Sequence, residues 1–135
     1  MKAGERGDTE NWFVPYKEVM ESIATKLGIS MTFYQWLIKD LLVPTERHMK
    51  RTLNHINLCI KYDKPVYVQC QDRIGRTGTL VGRYLIRHGM ADSKNVLEMI
   101  KNLRKNCEDS DRQSLETSEQ REMVLGWPRG TLQAP

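Results

Sequence analysis

The sequence predicts an α/β domain in which a central, mostly parallel sheet is flanked by helices. Three observations predict it. Helical and extended stretches alternate over the first half of the chain, which within one sheet implies parallel pairing with helices packed on the faces. P-V-Y-V, residues 65–68, is a short apolar run of the kind that parallel sheets bury on both sides. A glycine-punctuated loop and an apolar helix follow it directly, giving a strand–loop–helix unit. Only two strands are in sight, fewer than a stable open sheet needs.

The elements follow from local chemistry. Pro15 suits the first position of a helix, where its missing N–H would have been unpaired anyway. Val19, Met20, Ile23 and Leu27 recur at helical spacing, and Gly28 is a stop. Residues 31–36, M-T-F-Y-Q-W, are aromatic and branched and read as a strand that runs towards Pro44. Thr45 caps a second helix with Met49, Leu53, Ile56 and Ile60 on one face. Y-D-K-P ends it, and P-V-Y-V is the second strand. Leu80, Val81, Tyr84 and Leu85 line a third helix that stops at Gly89, and Val96, Leu97, Ile100 and Leu103 mark a fourth. R-K-N-C-E-D-S-D-R-Q-S is a polar loop. A last helix starts at Thr117 and carries Met123, Val124 and Trp127 before Pro128.

At 135 residues the chain is long enough for one domain with a modest core. A polar leader over residues 1–12, a domain over 13–128 and a tail over 129–135 are expected. Apolar residues at 39% and charged residues at 28% describe an ordinary globular chain. No run approaches a membrane span, and the N-terminal residues lack the apolar centre of a secretory signal, so the expected location is cytoplasmic. The net charge of +4 favours anionic partners only weakly. Cys59, Cys70 and Cys107 make an odd count without metal-like pairing, which argues for reduced thiols and implies neither a metal nor another cofactor.

The chemistry is concentrated in V-Q-C-Q-D-R-I-G-R-T-G, residues 68–78. In a parallel sheet, ligands bind at the carboxyl ends of the strands. Cys70 sits at such an end, and a helix is expected just beyond Arg76. Loop N–H groups and the positive end of that helix then converge on one point, which suits an anion such as phosphate or sulfate. Gly75 and Gly78 allow close backbone approach, and Arg76 offers a planar fork for phosphate oxygens. A thiol in that field ionises more readily, and the thiolate is the nucleophile.

C-x-x-x-x-x-R-T-G, Cys70 to Gly78, resembles the signature of the cysteine-dependent protein tyrosine and dual-specificity phosphatases. W-L-I-K-D-L-L-V-P-T resembles the acid loop of the small bacterial dual-specificity-like members. K-P-V-Y-V, G-T-L-V-G-R-Y-L-I-R-H-G and S-L-E-T-S-E-Q-R-E-M-V resemble the same group, so that the likeness covers roughly residues 30–127. It implies a dual-specificity-phosphatase-like sheet, here lacking the strands that usually precede the first helix, and it makes residues 13–128 a phosphatase-like domain. It also implies roles. Cys70 attacks phosphorus and carries a phosphocysteine. Arg76 and the amides of Gln71, Asp72, Arg73, Ile74, Gly75 and Arg76 bind the phosphoryl oxygens. Asp40 protonates the leaving oxygen and later takes a proton from water. Thr77 hydrogen-bonds the sulfur, and Gln120 matches a water-orienting glutamine.

Local readings stand beside these. Cys59 and Cys107 read as small buried hydrophobes. His48, His55 and His88 read as packed or solvated helix residues. Gln120, three after Thr117, also completes a capping box. The chain departs from the family pattern at Gln69, where histidine is usual, and at Arg73, where glycine is usual. Asp72 resembles the aspartate of myotubularin-like and Sac-like phosphoinositide phosphatases and rivals Asp40 as the acid. The leading reading is a phosphatase acting on a phosphorylated protein or another phosphomonoester through a phosphocysteine. The alternatives are a weakened pseudophosphatase that binds phosphorylated ligands, and a sulfur-transfer or redox protein using Cys70. An uncovered sheet edge would invite pairing with a second copy.

Overall fold

Five helices account for all the regular structure in the computed structural model, which describes residues 16–35, 38–39, 41–70 and 74–126. They are α1 (Tyr16–Leu27), α2 (Glu46–Lys61), α3 (Gly75–Arg87), α4 (Val96–Leu103) and α5 (Ser118–Leu125). The chain divides into two compact units, Met1–Leu37 and Ile38–Pro135.

The first unit contains α1. Its end is a Schellman motif: Gly28 has φ +67°, its N–H donates to the Thr25 carbonyl and the Ile29 N–H to that of Ala24. The second unit is built around α3, which packs against α2, α4 and α5. Its core is formed by Met49 and Leu53 of α2, Leu85 and Ile86 of α3, Val96 and Ile100 of α4, and Leu115 and Val124 at α5. Helices α3 and α5 meet closely at Gly82, which needs a small residue. A β-carbon on Gly82 would lie 2.8 Å from Val124 Cγ1, so only glycine lets the two helices meet there.

Two arginines of α3 are buried in this unit. Arg83 reaches Glu46 at the start of α2 with a 2.6 Å ion pair and donates to the Met123 carbonyl at 2.7 Å. That carbonyl lies in the last turn of α5, which has no intrahelical donor to offer it. One guanidinium thus ties the beginning of α2 to the end of α5. Burial pulls it down to about 10, and the hydrogen bond and charge of Glu46 oppose that fall. Arg87 bonds Asn54 Oδ1 of α2.

The predicted sheet does not form among the described residues. Neither the run over 31–35 nor the run over 65–68 is a strand. Val66 is 40% exposed and Tyr67 71%, so P-V-Y-V lies on the surface and not between layers. Apolar, branched composition suits a strand, but a strand exists only when another segment completes its ladder, which composition alone does not supply. The expected α/β class with a central parallel sheet is therefore replaced by a helical architecture. The expectation of a second copy pairing along an open sheet edge loses its premise with it. No helix among the described residues is long and apolar enough to cross a membrane.

Candidate active site

Helix α3 begins at Gly75, slightly earlier than its sequence suggests, so Arg76 and Thr77 lie in its first turn. Ile74 precedes it, fully buried, with no side-chain cap. The first-turn N–H groups of a helix have no partner within the helix, and this end carries its partial positive charge. Cys70, half-buried, approaches that turn. Thr77 Oγ1 donates to Cys70 Sγ at 3.0 Å, bringing together the two ends of the loop. Arg76 is partly buried, and its Nη1 donates to the Ile38 carbonyl at 3.0 Å. Arg76 is therefore in contact with residue 38, two positions before Asp40 in the sequence.

The base of the loop rests on the chain that leads into α5. Ser114 Oγ donates to the Ile74 carbonyl at 2.8 Å. Gly78, one turn into α3, makes room for that hydroxyl, because a β-carbon there would stand 2.2 Å from it. Gly75 lies under Glu116 and Gln120, whose side-chain atoms approach its β-carbon position to 2.7 and 2.8 Å. Arg104 holds the preceding polar loop by an ion pair with Asp109 at 3.1 Å and a hydrogen bond to the Arg112 carbonyl.

Gln120 is fully buried. Its Oε1 accepts from the N–H groups of Glu116 at 2.8 Å and Thr117 at 3.3 Å, and Thr117 Oγ1 accepts from the Gln120 N–H. The capping box expected from T-S-E-Q is formed. Because two backbone donors fix which end of the amide is oxygen, Nε2 is the end left over. It is buried and has no hydrogen-bond partner among the described residues.

The structure thus pairs Cys70 with Thr77, sets Gln120 against Gly75 at the start of the same helix, and links Arg76 to residue 38. Asp40, Gln71, Asp72 and Arg73 lie outside the described residues. Gln69 is exposed. His48 and His55 lie within α2 and His88 caps the C-terminus of α3. Among the described residues, no group of histidine, cysteine and carboxylate side chains is arranged to hold a metal ion. Ser114 and Glu116 were not foreseen as parts of the site. Both stand in S-L-E-T-S-E-Q, but nothing in that string announces a contact with α3.

A family model described as polymorphic toxin system, DSP-PTPase phosphatase, matches residues 13–90. The chain belongs to this family. The match runs through α3 and takes in residues 40, 70, 76 and 77 of this DSP-PTPase phosphatase, and it stops before α4 and α5. Its function is that of a phosphatase. No curated protein and no solved structure matches the chain.

Proposed function

We propose that this phosphatase hydrolyses phosphomonoesters through a phosphocysteine intermediate. Cys70 Sγ attacks phosphorus, the S–P bond forms as the bond to the ester oxygen breaks, and Asp40 gives its proton to the departing oxygen. Water then attacks phosphorus, Asp40 takes a proton from it, and the S–P bond breaks to return thiolate and release inorganic phosphate. Arg76 and the N–H groups of residues 71–76 stabilise the charge on the transferring phosphoryl group. Thr77 stabilises the sulfur as it departs. Gln120 Nε2 is available to orient the water, since capping occupies only the oxygen of that amide.

The observation that carries this reading is the Thr77–Cys70 hydrogen bond at the start of α3, a hydroxyl donating to a sulfur at the N-terminal end of a helix. Turnover of an aryl phosphate by wild type, Cys70→Ser and Asp40→Asn tests it. Cys70→Ser should abolish turnover and remove a phosphoryl adduct that acid quenching traps on wild type. Asp40→Asn should lose on the order of 100-fold or more with a poor leaving group. Equal turnover by wild type and Cys70→Ser would overturn the reading.

A second reading, binding without efficient turnover, is favoured by Gln69, which replaces the histidine usual before the cysteine and is exposed here. Under it, Gln69→His raises turnover while inorganic phosphate inhibits both forms at similar concentrations.

A further inference from the structure

Side chains donate to backbone carbonyls on both sides of position 40. Two residues before it, the Ile38 carbonyl accepts from Arg76 Nη1 at 3.0 Å. Immediately after it, the Leu41 carbonyl accepts from Thr117 Oγ1 at 3.3 Å. The Leu42 N–H donates to the Lys39 carbonyl at 3.1 Å, closing a turn. Leu41 has φ +64°, a conformation that is strained for a residue with a β-carbon. Such a residue persists only where its surroundings hold it. Leu41 is 48% exposed, so packing of its side chain is a weak restraint, and the hydrogen bond to its carbonyl becomes the specific one.

The donor of that bond is itself fixed. A hydroxyl has one hydrogen and two acceptor positions. The Thr117 oxygen accepts from the Gln120 N–H at 3.2 Å as the N-cap of α5, and its hydrogen goes to Leu41. Two residues earlier, Leu115 is fully buried with φ +62°, a second strained position in the same neighbourhood. It is flanked by Ser114, on the Ile74 carbonyl, and Glu116, against Gly75. A stretch of four residues thus reaches the base of the cysteine loop with one end and the turn beside Asp40 with the other.

We propose that Thr117 is a positioning residue for the general acid, its hydroxyl holding the turn that carries Asp40 in register with the cysteine loop. The proposal rests on the phosphocysteine reading. It separates the two tasks of one oxygen: capping α5, which needs only an acceptor, and holding Leu41, which needs a hydrogen.

Substitution separates the tasks in the same way. Aspartate caps a helix at least as well as threonine, but an ionised carboxylate has no hydrogen for the Leu41 carbonyl. Serine keeps both functions and valine has neither. The decisive measurement is the ratio of kcat for p-nitrophenyl phosphate to kcat for phenyl phosphate in wild type, Thr117→Ser, Thr117→Asp and Thr117→Val. Phenolate is the poorer leaving group and depends more on a placed acid. A partly unfolded variant loses both rates equally, so the ratio is blind to folding.

The ratio should rise about tenfold or more in Thr117→Asp and Thr117→Val, with KM little changed, and stay at the wild-type value in Thr117→Ser. Cys70-dependent turnover with an unchanged ratio in the aspartate and valine variants would overturn this proposal alone. Turnover that survives Cys70→Ser would instead overturn the reading beneath it.

Discussion

Gly78 and Ser114 show how one side chain can serve the site only because another is missing. The serine hydroxyl occupies the space where a β-carbon of residue 78 would be, and from there it reaches the Ile74 carbonyl at the foot of the cysteine loop. That carbonyl also accepts from the Gly78 N–H at 3.1 Å, so removing the serine weakens its satisfaction without orphaning it. Gly78→Ala should therefore destabilise by about 1–3 kcal/mol through overpacking against the hydroxyl. Ser114→Ala should cost about 1 kcal/mol, the net worth of one hydrogen bond. In the double variant the clash is gone, so its loss should be smaller than the sum of the two by about 1 kcal/mol or more. Urea unfolding of the four proteins measures this, and additive losses would show that the hydroxyl and the glycine do not share that space.

Among the elements, helix ends are where the local chemistry is plainest. Helices α1, α2 and α3 all close with the same two hydrogen bonds around a left-handed residue: Gly28, Asp63 and Gly89. At Asp63, with φ +60°, the Lys64 N–H donates to the Cys59 carbonyl and the Asp63 N–H to that of Ile60. Aspartate tolerates this conformation less well than glycine. Asp63→Gly should raise stability by a few tenths of a kcal/mol to about 1 kcal/mol, and Gly89→Ala should lower it by about 1 kcal/mol. Thermal midpoints displaced in the same direction by both changes would contradict this account of the caps. The contrast explains what could be read in advance. Thr45, Thr117, Gly28 and Gly89 announce helix ends because a cap is decided within a few residues. Residues 65–68 look like a strand by composition, yet whether they become one depends on a distant partner that composition does not reveal. Cys70 and Thr77, seven apart, were paired in advance only through the resemblance of C-x-x-x-x-x-R-T-G to the phosphatase signature. Thr117 and Leu41 are 76 residues apart, and no local pattern joins them.

At the scale of the whole molecule, α3 connects the candidate site to the protein's response to acid. Its first turn holds Arg76 and Thr77, its C-terminal half buries Arg83 and Arg87, and His88 caps it. Burial, and then the charge of Arg87, lower the His88 pKa below its ordinary 6.5. The negative end of the helix favours the protonated ring, but it does not outweigh those two effects. The imidazole lies 4.3 Å from the Tyr84 ring, centroid to centroid, and its Nε2 is buried without a partner among the described residues, so a proton there would have nothing to bond. A depressed value means that the unfolded chain binds this proton more readily than the native one. Stability then rises with pH through the interval between the native value and 6.5. It is undiminished above that interval and falls as the solution is acidified through it. Ordinary carboxylates titrate near pH 4, below the upper part of the window. Between pH 7.5 and roughly pH 5, the thermal midpoint of wild type should therefore fall more steeply than that of His88→Gln, which keeps polar capacity but cannot take the proton. Parallel slopes for the two proteins would mean that His88 binds its proton equally well folded and unfolded, and the acid sensitivity of the α3 end would have to be assigned to other groups.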